Sequence, residues 1–201
     1  MKFSRVVLVD MDDVVAGFYT EAYKRIQKLD KNINAHKKSS SYFFEEEYPK
    51  YTQEIRDIFH SVGFFANLPI IKGSLEGWQK LLDNGYDPVF CSSPLLTSPY
   101  CIEEKKQWIK ENFVPLFGHS VLDRAILTRH KHREKGIALI DDKPEIYNSE
   151  SAQWMHILFE SEFNLDSDNT HRISGWNDDR LLGYLEIARE NYINNHGGNE
   201  L

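Results

Sequence analysis

Short apolar stretches alternate with longer amphipathic stretches along this chain of 201 residues. The apolar stretches mostly lack the in–out alternation of a half-exposed strand, which is typical of parallel strands buried on both faces. They predict five strands, at Val6–Asp10, Pro88–Cys91, Arg124–Leu127, Ala138–Ile140 and His156–Phe159.

Three amphipathic stretches predict helices that each bury one apolar face. The helices and their buried residues are Ser74–Asn84 (Leu75, Trp78, Leu81, Leu82), Pro99–Phe113 (Ile102, Trp108, Ile109) and Asp178–Tyr192 (Leu181, Leu182, Leu185, Ile187). In the second helix, Glu104 and Lys105 are expected on the outside. Strands alternating with helices predict an α/β sandwich of βαβ units.

Residues 18–71 break this rhythm. They contain a helical pattern near Tyr19–Leu29, a polar stretch, the aromatic and acidic segment 42–47, and a second helical pattern near Gln53–Ser61. Ligands of open α/β sheets bind at the carboxyl ends of the strands, where this insertion begins. We therefore predict a core of residues 1–17 and 72–193, a helical cap of residues 18–71 and a flexible polar tail of residues 194–201.

Composition narrows the classes of function. A formal charge of −7 and the lack of a basic stripe argue against a partner that is a nucleic acid polymer, although a small phosphorylated substrate remains compatible. No stretch reaches the length of a membrane span or has the pattern of a signal peptide. The two cysteines, Cys91 and Cys101, suit reduced thiols. We expect a cytoplasmic protein without a membrane partner.

Four polar segments follow four successive predicted strands. Each is weak evidence alone, since such residues also serve as turns, caps or solvated faces. The carboxyl ends of parallel strands share one edge of a sheet, so together the segments are expected to converge. They are Asp10-Met11-Asp12-Asp13, Ser92-Ser93-Pro94, Thr128-Arg129-His130-Lys131 and Asp141-Asp142-Lys143.

Converging carboxylates need a compensating cation. Two of them about 4 Å apart repel by roughly 4 kcal/mol at an effective dielectric constant near 20. Oxygen ligands without a nearby cysteine favour Mg²⁺ over Zn²⁺. The alternative is that the acidic pairs lie apart and act as separate caps. The carboxylates are Asp10, Asp12, Asp141 and Asp142.

With Mg²⁺ present, the remaining side chains suit a phosphatase. One carboxylate can attack phosphorus and form an aspartyl-phosphate, and a second, two residues along, can exchange protons with the leaving oxygen and with water. A hydroxyl and a lysine, for which Ser92 and Lys131 are candidates, can bind the phosphate oxygens.

These segments resemble motifs I to IV of the haloacid-dehalogenase superfamily, and Cys91-Ser92-Ser93-Pro94, Leu139–Lys143 and Gly175–Asp179 resemble the 5'(3')-deoxyribonucleotidases. The resemblance implies a Rossmann-like three-layer α/β/α sandwich with a small cap, a nucleoside monophosphate substrate and a homodimer. It also implies that Asp10 is the nucleophile and Asp12 the general acid and base. Mg²⁺ would be held by the Asp10 side chain, the Asp12 carbonyl and a motif IV aspartate, Asp142 in preference to Asp141. The phosphate would contact Ser92, Ser93 and Lys131.

In that family an aromatic pocket in the cap accepts the nucleobase. The matching positions are Phe18, Tyr42, Phe43, Phe59 and Phe65, and Arg129 is a further candidate for substrate binding. Aromatic side chains over a phosphate site suit a flat base. The alternative, open above all for Phe59 and Phe65, is that these rings form the core of the cap.

Four positions depart from the family pattern. Asp13 replaces glycine, His130 an acidic residue, Leu96 a basic residue and Ser92 a threonine. These departures leave the phosphatase interpretation intact but bear on substrate preference. His130 and His132 flank Lys131, and surface polar residues are favoured over a metal-binding pair.

Three rival interpretations stay open. The chain could hydrolyse another small phosphomonoester, such as a sugar phosphate or a phosphoserine-like compound, on the same scaffold. A phospho-accepting receiver domain is disfavoured, because it would need its acceptor aspartate after the third strand and would be a smaller domain. A non-catalytic nucleotide binder is disfavoured by the complete set of motifs.

Overall fold

A computed structural model describes residues 3–33 and 43–196, without the side chain of residue 196. Its sheet has six strands in the order β3-β2-β1-β4-β5-β6, all paired in parallel. The strands are β1 (Val6–Val9), β2 (Asp87–Ser92), β3 (Ile126–Leu127), β4 (Ala138–Asp141), β5 (Met155–Phe159) and β6 (Arg172–Ile173). The predicted α/β fold with a parallel sheet is confirmed.

The sixth strand was not predicted from the sequence. It contains only Arg172 and Ile173, which pair with Leu158 and Phe159 at the edge of the sheet. Two residues are too few to produce a hydrophobic period, so the pattern along the chain carries no signal for this strand.

Eight α-helices lie in the described residues. Three long ones follow the core strands: α4 (Ser74–Asp83), α5 (Cys101–Asn112) and α8 (Arg180–His196). The others are α1 (Phe18–Ile26), α2 (Phe44–Glu47), α3 (Thr52–Phe59), α6 (Val114–Phe117) and α7 (Ser120–Asp123). Short 3₁₀ helices occur at Phe3–Arg5, Pro49–Tyr51, Lys131–Arg133 and Ser149–Ser151.

The two faces of the sheet are covered differently. One face, which includes Val7, Val9 and Phe90, packs in one apolar cluster with side chains of α4, α5 and α8. The opposite face, which includes Leu8 and Val89, packs in a smaller cluster with Trp154. Strands buried on both faces explain why their sequences lack alternation.

The predicted buried faces of three helices need correction. In α5, Ile102 is exposed, whereas Glu104 and Lys105, expected outside, are buried. Leu82 in α4 and Ile187 in α8 are also exposed. The buried positions of α5 are 101, 104, 105, 108 and 109. They follow the i, i+3, i+4, i+7, i+8 spacing of a helix face, which excludes position 102.

Residues 18–71 leave and re-enter the core through adjacent backbone segments. The N–H of Gly17 donates to Pro69 O at 2.7 Å, and the N–H of Ile71 donates to Val15 O at 2.8 Å. Between these ends lie α1, α2 and α3, so the helical insertion after the first strand is present. The exact division into core and cap stays a prediction.

Helix α8 continues through residues 194–196, and the rest of the predicted tail lies outside the described residues. Among the described helices, none combines the length and the apolar character that crossing a membrane requires.

Gly77 in α4 provides a test of the packing. A Cβ at this position would collide with the ring of Trp176, whose Nε1 donates to Val14 O at 2.8 Å. We expect Gly77→Ala to lower the free energy of unfolding by about 1–3 kcal/mol, as overpacking of a core does. Urea denaturation measures the change.

Gly183 in α8 is the matched control, because an added Cβ there meets nothing within 4 Å. Gly183→Ala is expected to raise the free energy of unfolding by roughly 0.5–1 kcal/mol through helix propensity. Equal stabilisation by both substitutions would contradict the placement of Trp176 against α4.

Candidate active site

The four polar segments meet at the carboxyl end of the sheet. Asp10 follows the central strand β1, and its N–H still pairs with Ile140 O of β4 at 2.9 Å. Ser92 ends β2, and Asp141 ends β4. Lys131 lies in the 3₁₀ helix after β3 and is buried with its ammonium directed at this edge. Parallel pairing therefore brings Asp10, Ser92 and Asp141 to one edge, and the segment after β3 adds Lys131.

Three carboxylates form a compact buried group. Oxygens of Asp10, Asp141 and Asp142 all lie within 4.8 Å of one another, and the three residues are at most 3% exposed. The Lys131 ammonium bridges two of them, at 2.8 Å from Asp10 Oδ1 and 2.6 Å from Asp141 Oδ2. Burial would lower the pKa of Lys131, but the charges of Asp10 and Asp141 outweigh it and raise this pKa. Lys131 is therefore held as a cation.

Asp142 has no cation in salt-bridge contact within the part of the chain that the structure describes. Burial, and then the charges of Asp141, Asp13 and Asp10, raise the pKa of Asp142 well above its ordinary value. An all-oxygen group of this kind, with one carboxylate lacking a partner, fits a hard divalent cation such as Mg²⁺. Asp10, Asp141 and Asp142 are the side chains that could hold it.

Asp10 and Asp12 have opposite electrostatic environments. Burial would raise the pKa of Asp10, but the charges of Lys131, Lys105 and Lys143 outweigh it, so this pKa is lowered. For Asp12, burial raises the pKa more than the charge of Lys105 lowers it, and the charge of Asp10 adds to the rise. A lowered pKa suits a nucleophile, which must be ionised, and a raised pKa suits a general acid, which must carry a proton.

Asp13 has a structural role that the sequence did not indicate. Its φ of +54° is in the left-handed region, which suits the glycine found here in the resembled family. The Asp13 carboxylate accepts the N–H of Tyr19, at 3.0 Å to Oδ1 and 3.3 Å to Oδ2. Tyr19 is the second residue of α1, whose first-turn N–H groups have no partner inside the helix. Asp13 thus caps the first helix of the insertion from the loop after β1.

Lys105 is a site residue that the sequence analysis missed. It is fully buried in α5, and its Nζ lies 2.7 Å from Asp12 Oδ2 and 2.9 Å from Ser92 Oγ. Its ammonium also lies 5.6 Å from the centre of the Phe65 ring. The signal was a lysine on the face of a helix that also carries Cys101, Trp108 and Ile109. A charged residue at such a position needs a buried partner.

The neighbouring residues of α5 hold the returning end of the insertion. The Glu104 carboxylate accepts the N–H groups of Gly63, Phe65 and Ala66. Trp108 Nε1 donates to Leu68 O at 2.7 Å. Helix α5 therefore contacts both the carboxylates at the sheet and the segment that covers them.

The predicted aromatic pocket is only partly formed by accessible rings. Phe59 and Phe65 are 7% and 2% exposed, and Phe59 packs with Phe44 and Phe64 in an aromatic cluster. Phe18 is half-buried, with its ring 5.1 Å from that of Phe59, whereas Phe43 is exposed. Tyr42 lies outside the described residues.

The remaining predicted residues lie around the carboxylates or at the surface. Ser93 is half-buried next to Ser92, while Arg129 and Leu96 are exposed. The rings of His130 and His132 are perpendicular, 5.8 Å apart, and contact Tyr147. In residues 3–33 and 43–196, the carboxylate group above is the one set of three or more metal-ligating side chains, and it includes neither histidine.

Comparisons with known proteins show which family the chain resembles. Residues 4–189 match the family model described as "5' nucleotidase, deoxy (Pyrimidine), cytosolic type C protein". The human cytosolic 5'(3')-deoxyribonucleotidase is 31% identical over 193 residues, which cover 92% of this chain and 91% of the relative. A Bordetella bronchiseptica protein provisionally named a 5'(3')-deoxyribonucleotidase is 31% identical over 188 residues, 92% of this chain and 98% of the relative.

The matches also include a relative of lower identity and a solved structure. The 5'(3')-deoxyribonucleotidase of Bacillus subtilis is 26% identical over 174 residues, 86% of this chain and 94% of the relative. A Burkholderia xenovorans structure, provisionally titled a haloacid dehalogenase-like hydrolase, has a TM-score of 0.45 at 12% identity, with 92% of this chain and 97% of that chain covered. The match of the family model spans nearly the whole chain, and the protein belongs to the cytosolic type C 5'-nucleotidase family.

Proposed function

We propose that the chain is a Mg²⁺-dependent phosphomonoesterase that hydrolyses (deoxy)nucleoside 5'- or 3'-monophosphates through an aspartyl-phosphate on Asp10. The observation that carries the proposal is the buried group of Asp10, Lys131, Asp141 and Asp142, with Asp12 beside it. The names of the relatives support the nucleotide as the substrate.

The side chains have distinct parts in the proposed reaction. An oxygen of Asp10 attacks phosphorus, the bond from phosphorus to the ester oxygen breaks, and Asp12 gives its proton to that oxygen. In the second half, Asp12 takes a proton from water as the water attacks the phosphoenzyme, and inorganic phosphate leaves. Asp12 Oδ1 is buried and accepts no hydrogen bond from any described residue, so it is available for this proton.

Lys131 and Ser92 are proposed to bind the phosphate. The Lys131 ammonium next to Asp10 supplies positive charge where the transferring group would lie, and Ser92 supplies a hydroxyl. Mg²⁺, held by Asp10, Asp142 and the Asp12 carbonyl, would screen the nucleophile from the phosphate charge and polarise a phosphoryl oxygen. Asp141 is bonded to Lys131, which supports Asp142 as the motif IV ligand.

Location and assembly are inferred from the relatives alone. The human relative is named a cytosolic type, and we propose that this protein also acts in the cytoplasm. A homodimer stays a prediction, which the mass in solution would test.

Asp10→Asn tests the nucleophile. We expect turnover to fall by at least about a thousandfold, because the amide cannot form the phosphoenzyme. With labelled substrate and an acid quench, the wild type should retain label on the protein and the variant should not. Near-wild-type turnover in a folded Asp10→Asn protein would overturn the assignment.

Asp142→Asn tests the cation site through stability. Burial and the neighbouring carboxylates disfavour the ionised form of Asp142 in the folded protein, so without Mg²⁺ at neutral pH the variant should unfold at a higher temperature than the wild type. Saturating Mg²⁺, about 100-fold above its Kd, should add roughly 2.7 kcal/mol to the wild type and much less to the variant. Thermal unfolding with and without Mg²⁺ measures both effects.

Asp168→Asn is the control for that experiment, because Asp168 is an exposed aspartate in the loop before β6. It should change neither the unfolding temperature nor the response to Mg²⁺. An Asp142→Asn protein that responded to Mg²⁺ like the wild type would remove Asp142 from the proposed ligands.

A panel of phosphomonoesters tests the substrate class. We expect dUMP and dTMP to be hydrolysed faster than sugar phosphates or phosphoserine, because Phe18 and the exposed Phe43 offer rings to a base. The panel should include ribonucleotides, purines and 3'-monophosphates. Preference for a sugar phosphate would favour the other small-monoester phosphatase and leave the Asp10 chemistry in place.

A further inference from the structure

Lys105 forms hydrogen bonds with two other side chains of the site, those of Asp12 and Ser92. Its Nζ donates to Asp12 Oδ2 and to Ser92 Oγ, and both contacts are shorter than 3 Å. Asp12 Oδ1 stays buried without a hydrogen-bond partner among the described residues. A hydroxyl has one donor and two acceptor positions, so the lone pair of Ser92 that faces Lys105 is occupied and its proton points elsewhere. Lys105 thus fixes Asp12 Oδ2 and one lone pair of Ser92 Oγ. Asp12 Oδ1 and the proton of the Ser92 hydroxyl have no contact with it.

Stability alone does not explain a lysine at this position. Lys105 is fully buried, and its ion pair with Asp12 replaces the hydration of both charges. Apolar residues of similar volume often replace buried ion pairs without loss of stability, or with a gain. The pair is therefore better understood from the geometry that it imposes on Asp12 and Ser92.

Neighbouring residues shield the Lys105 ammonium from solvent and hold it in place. The Phe65 ring lies over it at 5.6 Å from the ring centre, and Glu104, the preceding residue, binds the N–H of Phe65 at 3.0 Å. The segment that carries Phe65 is thus fastened to the same helix as Lys105. The Lys105 side chain is fully buried, whereas the Asp12 side chain is 23% exposed, so the ammonium has Asp12 and Ser92 as protein partners in place of water.

We propose that Lys105 is a positioning residue for proton transfer: it holds Asp12 so that Oδ1 faces the leaving oxygen, and it orients the Ser92 hydroxyl toward the phosphate. The inference rests on the proposed phosphatase function and adds a residue to it. In this proposal Lys105 acts through Asp12 and Ser92, which it contacts, and not on the phosphate itself. Its effect should therefore depend on how strongly the leaving group needs a proton.

The test uses kcat/KM for a nucleoside monophosphate and for p-nitrophenyl phosphate, with phenyl phosphate between them. This constant reports the steps up to formation of the phosphoenzyme, where Asp12 acts as an acid. A nucleoside alkoxide needs the proton, whereas p-nitrophenolate leaves without one. We expect Lys105→Met to lower kcat/KM for the nucleoside monophosphate by about 100-fold more than for p-nitrophenyl phosphate.

Two control variants, Lys106→Met and Glu104→Gln, and the conservative variant Lys105→Arg separate this role from a structural one. Lys106→Met removes the neighbouring lysine, which is exposed and paired with Glu103, and should leave both constants unchanged. Glu104→Gln loosens the segment from Gly63 to Ala66 without touching Asp12 or Ser92, and should affect all the substrates by similar factors. Lys105→Arg keeps the charge and the donors, so it should retain more of the wild-type ratio between substrates than Lys105→Met.

Equal losses for all the leaving groups in Lys105→Met would overturn the proposal. If that variant does not fold, Lys105→Gln replaces it, with the same expectation of a larger loss for the nucleoside monophosphate and the same contradicting result. The proposed function fails separately, since wild-type protein without activity, or an active Asp10→Asn protein, would remove it. Aryl phosphates test the role of Lys105 even if the natural substrate is not a nucleotide.

Discussion

The need to balance buried negative charge at one end of the sheet governs this structure. Asp10, Asp141 and Asp142 come together because β1 and β4 are neighbours in parallel register. Two buried lysines from outside those strands compensate part of the charge. Lys131 binds Asp10 and Asp141, and Lys105 binds Asp12. Asp142 has no such partner among the described residues, and a divalent cation bound there would favour its ionised form.

Two aspartates that are two residues apart have different electrostatic environments. Asp10 lies within the field of several cations and its pKa is lowered, whereas burial keeps the pKa of Asp12 above its ordinary value. Such a separation between neighbouring carboxyl groups allows one to act as a nucleophile and the other as an acid. Lys105 on α5 lowers the pKa of both carboxyl groups, so the difference arises from Lys131, which contacts Asp10, and from the charge of Asp10, which raises the pKa of Asp12.

The sequence predicted the parts of the fold that repeat a physical pattern. Five strands were predicted from short apolar stretches and the helices between them from amphipathic periodicity, and the order of the polar segments indicated Asp10, Ser92, Lys131 and Asp141 as neighbours. The two-residue strand β6 has no period to detect. The prediction that Lys105 lies on the outside of α5 was wrong, because a charged side chain can occupy the buried face of a helix when it has a buried partner. The capping by Asp13 depends on where α1 turns back, which local sequence does not determine.

The paired connections of the insertion have a mechanical consequence. Residues 16 and 70 form an antiparallel bridge, and hydrogen bonds from Gly17 to Pro69 and from Ile71 to Val15 join the two segments. Two backbone segments joined in this way move together as a two-stranded ribbon. Such a ribbon bends more easily perpendicular to its plane than within its plane. The segment from Gly63 to Ala66 is bonded to Glu104 of α5 as well, so moving the insertion away from α5 would break these three hydrogen bonds.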